Sequence, residues 1–273
     1  MRFTVILLAL VLTACSRGAG SGVSPSQRSN GGLVFFDDFN GSALDSAWTV
    51  VRRRGPASQK ENACNTLDAV AVSGGSVNIT TSAKPATCDD AVTRPARLPY
   101  TSGDIQWTNT SFTYGTVEIR AKLPPSDSRT WPAIWLLGAN CQAANLVNGA
   151  EGVPFKGCAA QGDAGYQEID MVECDGRGWC HMVLAQGRNG WGPLCQFPVS
   201  DEFHVFKLVW TPSTVSLSLD GAAPVCSFPN TSLKRPMFLI MQTQTTEPGG
   251  LGPPDDAKLP TTFQIDYVKV TQP

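Results

Sequence analysis

The stretch TVSLSLDG, residues 214 to 221, alternates strictly: Val215, Leu217 and Leu219 fall on one side, Ser216, Ser218 and Asp220 on the other. A period of two is that of a β-strand with one buried face, and the closing Asp-Gly pair favours a tight hairpin turn. GTVEIRAKL sets Val117, Ile119 and Ala121 against Glu118, Arg120 and Lys122 in the same way, and SVNITT and TTFQIDYVKV behave similarly. WPAIWLLG is more continuously apolar, which predicts a strand in the sandwich interior or on a ligand face. Long runs of Ala, Leu, Glu and Lys at helical period are absent. The pattern predicts an all-β protein built as a sandwich of two antiparallel sheets.

Composition agrees and adds a compartment. Gly and Pro are frequent (26 and 20 of 273 residues), as many turns require, and the length suits one large all-β domain. The formal net charge of −2 gives no electrostatic reason to expect nucleic acid as a partner, and the single basic run, Arg52 to Arg54, reads as a solvated loop. At the N-terminus Arg2 precedes a short apolar core, Val5 to Leu12, too short to span a bilayer. Leu-Thr-Ala-Cys at 12 to 15 resembles a bacterial lipobox, so residues 1–15 are expected to be a signal peptide with Cys15 as the lipidated residue. The alternative is a plain secretory signal cleaved nearby. Residues 16–32 are a Gly/Ser-rich flexible linker, and 33–273 form one domain, expected to be a monomer. The membrane would then be a partner only through a lipid at Cys15. Both readings are extracytoplasmic. Setting Cys15 aside leaves eight cysteines, enough for four disulfides in an oxidising compartment. Neighbour pairing is the expectation, with Cys174 and Cys180 clamping a hairpin around Asp175-Gly176-Arg177-Gly178. No C-x-x-C pair occurs, which speaks against zinc.

Against this sparing use of charge, YQEIDMVECDG at 166 to 176 places Glu168, Asp170 and Glu173 within six residues. On a helix these positions scatter, since steps of two and five correspond to about 200° and 500°. On a strand Glu168 and Asp170 share a face, and Glu173 joins them only if one extra residue at Met171-Val172 forms a β-bulge. The apolar neighbours Ile169 and Val172 mark a buried type of strand. Two carboxylates flanking one bond are what glycoside hydrolysis needs: one ionised nucleophile and one proton donor to the leaving oxygen, with a third carboxylate to tune them.

QEIDMVEC resembles the signature of glycoside hydrolase family 16 in the bulged form of laminarinases and related enzymes. The resemblance runs over most of residues 33 to 272, through FFDDFNGSALDSAWTV, YTSGDIQWTNTSFTYGTVEIRAKLP, WPAIWLLG, DEFHVFKLVWTPSTVSLSLDG and TTFQIDYVKV, in the family's order. It implies a β-jelly-roll sandwich with a concave substrate cleft and a retaining mechanism that requires no cofactor. Glu168 would be the nucleophile, Glu173 the acid/base and Asp170 the assisting carboxylate. Trp107, Trp131, Trp135, His181 and Gln242 would contact sugar. The resemblance also implies a structural calcium site on Asp38, Gly75 and Asp266. Departures fall near the presumed cleft: Asp104 stands where Arg is common, Ala185 where laminarinases often carry a second His, and MQTQTTEPGG replaces the usual Asn-Leu-Ala-Val-Gly-Gly run. Cysteine-rich inserts at 139–163 and 174–195 are also unusual.

The expected activity is thus a secreted endo-hydrolase of a β-linked polysaccharide, with β-1,3-glucan the leading substrate. A β-galactan of the agar type, transfer to a sugar acceptor, and a non-catalytic carbohydrate-binding protein on the same fold remain open. Four Asn-x-Ser/Thr sites, at Asn40, Asn78, Asn109 and Asn230, would matter only in a eukaryotic host.

Overall fold

The structure is a computed structural model and describes residues 32–52, 60–88, 96–107, 110–141, 165–174, 178–186, 192, 194–248 and 252–273. The targeting segment with Cys15, the linker up to residue 31, Arg53 and Arg54, Asn109, Cys158, the side chain of Cys141 and most of the 139–163 insert lie outside the described residues.

In chain order the strands are β1 (Gly32–Asp37), β2 (Trp48–Val50), β3 (Ala63–Asn65), β4 (Val70–Ser73), β5 (Ser76–Thr81), β6 (Ala86–Cys88), β7 (Ala96–Leu98), β8 (Tyr100–Ser102), β9 (Asp104–Trp107) and β10 (Gly115–Lys122). They continue with β11 (Trp131–Gly138), β12 (Gln167–Cys174), β13 (Trp179–Gln186), β14 (Cys195–Pro198), β15 (Phe203–Trp210), β16 (Thr214–Leu219), β17 (Pro224–Pro229), β18 (Met237–Gln244) and β19 (Thr261–Gln272). Among the described residues the only helical pieces are short 3-10 turns. One antiparallel sheet has the order β17-β16-β15-β10-β19-β5-β4, with β1 also on β19; the other has the order β14-β13-β12-β11-β18-β9-β2. Small pairs, β3 with β8 (parallel) and β6 with β7, flank them.

The alternation read from sequence is the alternation that packs. Val117, Ile119 and Ala121 of β10 and Val215 and Leu217 of β16 are buried in the shared core, while Leu219 packs at its margin. β11 serves both of its expected uses. Ile134 and Leu136 point into the core, and Trp131, Ala133, Trp135 and Leu137 occupy the outer face of the second sheet. The β16–β17 connection turns at Asp220 and Gly221, both at positive φ (50° and 74°), as an Asp-Gly hairpin requires.

Three disulfides join sequence neighbours, as expected: Cys64–Cys88, Cys174–Cys180 and Cys195–Cys226. Cys174 and Cys180 face each other in the β12–β13 ladder, so their bond closes that hairpin. Cys195 and Cys226 sit on β14 and β17, the edge strands of the two sheets, and stitch the sandwich along that side. The disulfides accord with an oxidising, extracytoplasmic compartment.

Candidate active site

The candidate site is built on β12, and its geometry comes from a counting mismatch. β11 pairs Ala133 with Glu173, Ile134 with Val172 and Trp135 with Asp170, which leaves Met171 without a partner. On the other side β13 pairs His181 with Glu173 and Val183 with Asp170, so two steps again oppose three. The extra residue is a β-bulge at the position that the acid spacing demands. Ile169, Met171, Val172 and Cys174 all enter the core. Glu168, Asp170 and Glu173 are thereby left on the outer face, over Leu137, Trp135 and Ala133 respectively.

Neighbouring strands extend this face in rows. The Glu173 row carries His181 on β13, Ala133 on β11, Gln242 on β18 and Asp104 on β9. The Asp170 row carries Val183, Trp135, Ile240 and Gln106, and the Glu168 row carries Ala185, Leu137 and Phe238. Trp131 lies opposite Gln244, one row beyond Glu173.

The electrostatics follow from depth. Glu168 and Asp170 are only 7% and 6% exposed. Burial pushes Glu168 up to about 8; its hydrogen bond with Asp170 opposes the rise and the charge of Glu173 adds to it. Asp170 is raised well above the ordinary carboxyl range, by burial first and then by the charges of Glu168 and Glu173. The pair therefore keeps a proton through neutral pH. Glu173 is more open and shares a 2.7 Å hydrogen bond with His181 Nε2. Tyr166, two residues before Glu168, donates its hydroxyl to Glu168 Oε2. Three polar atoms on this face, Asp170 Oδ2 and the indole Nε1 atoms of Trp131 and Trp135, are buried without a protein partner.

The structure brings most of the sequence-predicted residues together. Glu168, Asp170, Glu173, His181, Trp131, Trp135 and Gln242 share the outer face. Trp107 does not. It is 2% exposed and sits between the sheets, 4.8 Å from the Phe35 ring and 6.1 Å from that of Phe112. The reason is register: Trp107 shares its side of β9 with the core residue Ile105, and the outward positions are Asp104 and Gln106. The expected sugar contact at Trp107 is corrected to a core role. Tyr166 was not singled out by sequence, although its offset of two from Glu168 places it on the same side.

Of the expected calcium donors, Asp266 is already engaged within the protein. Asp266 Oδ2 accepts Arg120 Nη1 at 2.7 Å, so a cation of the protein's own holds that carboxylate. Asp38 is exposed and accepts the backbone N–H of Asn40 at 3.2 Å. Gly74 and Gly75, both left-handed (φ 62° and 73°), form the β4–β5 turn, which accounts for a glycine at 75. Among the described residues no three His, Cys, Asp or Glu side chains cluster as metal ligands. A shallow hollow lined by residues including Leu123, Pro132, Trp179 and Ser200 does not include the acids.

No family model matches the chain. A glucan endo-1,3-beta-glucosidase A1 from Niallia circulans is 29% identical over 283 residues, covering 87% of this chain and 37% of its own length. The laminarinase of Flavobacterium sp. UMI-01 superposes with a TM-score of 0.67 at 26% identity, covering 88% of this chain and all of its own. A non-specific endo-beta-1,3(4)-glucanase from glycoside hydrolase family 16 superposes with a TM-score of 0.69 at 22% identity, over 91% of this chain and 97% of that one. The resemblance to glycoside hydrolase family 16 holds, and the chain has the laminarinase fold. The two antiparallel sheets are those expected from alternation, and the jelly roll is the one that the resemblance implies. The chain spans only about a third to three fifths of the length of the curated relatives it matches.

Proposed function

We propose that the chain is a retaining endo-glycoside hydrolase acting on a β-1,3-glucan. The observation that carries this reading is the bulge at Met171, which turns Glu173 to the face of Glu168 and Asp170. The chemistry is a double displacement. A Glu168 oxygen attacks the anomeric carbon while Glu173 protonates the departing glycosidic oxygen, leaving the sugar as an ester of Glu168. Water then attacks the same carbon, Glu173 takes its proton, and the Glu168 carboxylate leaves. Asp170 holds a proton toward Glu168, and His181 orients Glu173. Trp131 and Trp135 offer ring faces for stacking, and their free indole N–H groups, with Asp170 Oδ2 and Gln242, suit a ligand dense in hydroxyls.

The displacement needs no cofactor. Calcium has no place in this reading, since Arg120 holds Asp266. The protein works as a monomer outside the cytoplasm, either secreted or held to the envelope by a lipid at Cys15.

The test is reducing-sugar release from laminarin, lichenan and agarose by the wild type and by Glu168→Gln, with the product anomer followed by NMR. Laminarin cleavage with retained β configuration, lost in the variant, is the expected result. Preference for agarose would move the substrate to a β-galactan, and transfer to added oligosaccharide would make the enzyme a transglycosylase. Equal background release by both proteins on a broad glycan panel would leave a carbohydrate-binding protein.

A further inference from the structure

We propose that Tyr166 is a positioning residue that decides which of two buried acids carries the negative charge, by donating to Glu168 and not to Asp170. The inference rests on the hydrolase reading above. Glu168 and Asp170 lie two apart on one buried face of β12 beside Glu173, so the two carboxyls cannot both stay charged and hold at least one proton between them. That proton can sit on either group. Double displacement requires it on Asp170, because a protonated Glu168 is a poor nucleophile.

The surroundings of the pair are unequal. Glu168 Oε2 accepts the Tyr166 hydroxyl. Asp170 Oδ2 is buried without a partner, and the indole N–H of Trp135, opposite Asp170 in the ladder, is unpartnered as well. A donor aimed at one carboxylate favours its charged form. The donor is also held in place: the half-buried Tyr166 ring packs against the cluster of Leu137, Phe238 and Ile240. Among the described residues nothing else facing the pair across its ladders competes. β11 presents Leu137 and Trp135, β13 presents Ala185 and Val183, and β18 presents Phe238 and Ile240, none of which titrates. Among the described residues the charged or titratable groups that remain on this face are Glu173 and His181, bonded to each other, and Asp104, three strands away on β9. Lys234 and Arg235 reach Gln167 through backbone N–H groups.

The experiment compares the pH dependence of kcat/KM for the wild type and Tyr166→Phe. Removing the phenol raises the proton affinity of Glu168, so the acidic limb moves upward by about one pH unit. kcat below the optimum falls about tenfold while KM stays within about twofold, as expected for a group that acts through the nucleophile. Superimposable profiles would overturn the proposal. A second readout does not depend on turnover: ¹³C-carboxyl NMR titration, with the Glu168 resonance assigned by its loss in Glu168→Gln. A Glu168 midpoint that rises in Tyr166→Phe supports the inference even if no glycan is cleaved, an outcome that would count against the hydrolase reading alone. An unmoved midpoint refutes it. Should Tyr166→Phe fold poorly, a fluorinated tyrosine at 166, a stronger donor, must move the midpoint down.

Discussion

Glu173 and His181 face each other across the β12–β13 ladder and meet at 2.7 Å. The contact exists because the bulge brings Glu173 out and the Cys174–Cys180 bond, one residue further along each strand, fixes the hairpin. His181→Ala frees the Glu173 side chain without opening the core, since His181 belongs to the outer face. We expect kcat to fall by about ten- to a hundredfold with little change in KM or Tm. Steady-state kinetics on laminarin and a thermal melt check this, and an unchanged kcat would remove His181 from the machinery.

Glu168 costs stability where it is ionised. Glu168 is raised to about 8 from 4.5 and Asp170 is raised as well, so between these values the folded pair, with its shared proton on Asp170, binds more protons than the unfolded chain. Stability is therefore fullest below the lower value and declines as pH rises toward the upper one. The loss is shared between Glu168 and Asp170 through their common proton. Glu168→Gln should raise Tm by roughly 5 °C at pH 8 and leave it nearly unchanged at pH 4.5. Equal shifts at both pH values in calorimetry would contradict the assignment of strain to this carboxylate.

Two tryptophans separate structure from binding. Trp107→Ala empties a core site and should cost about 3–5 kcal/mol, lowering Tm by roughly 10 °C. Trp131→Ala, on the outer face, should leave Tm within about 3 °C and weaken laminarin binding about tenfold. Melting curves paired with affinity electrophoresis read both effects, and a reversed pattern would show that the two faces of the second sheet have been misassigned.

Calcium should not matter while Arg120 holds Asp266. Millimolar calcium or EDTA is expected to shift Tm by less than about 1 °C. A clear rise with calcium would show that Arg120 yields its carboxylate to the ion.

The bulge was legible because E-x-D-x-x-E cannot place three acids on one face of a regular strand, so the spacing itself asked for an extra residue. The core faces of β10 and β16 were legible for a related reason, since polar residues mark the outward positions. Trp107 was not. Asp104, Ile105, Gln106 and Trp107 are all buried, and polarity then ceases to report direction. Only the pairing of β9 with β2 and β18 settles which side Trp107 takes. Strand order across the sheets was likewise unreadable, as every neighbour of β11 is distant in the chain or reached across a loop. The partner of Asp266 was unreadable too, since no spacing announces Arg120 of β10 beside it on β19. Tyr166 stands just before its strand, where alternation has not yet begun.

The unpaired Met171 also sets how this strand tolerates changes in length. β11 and β13 already count two positions where β12 counts three. Losing one residue there would yield plain odd–even parity with every acid still outward and Cys174 still opposite Cys180. Gaining one, or losing Ile169, would invert the parity on one side of the change and drive a carboxylate into the hydrocarbon interior. Drift in length along β12 is thus open only within the Met171-Val172 step and in a single direction.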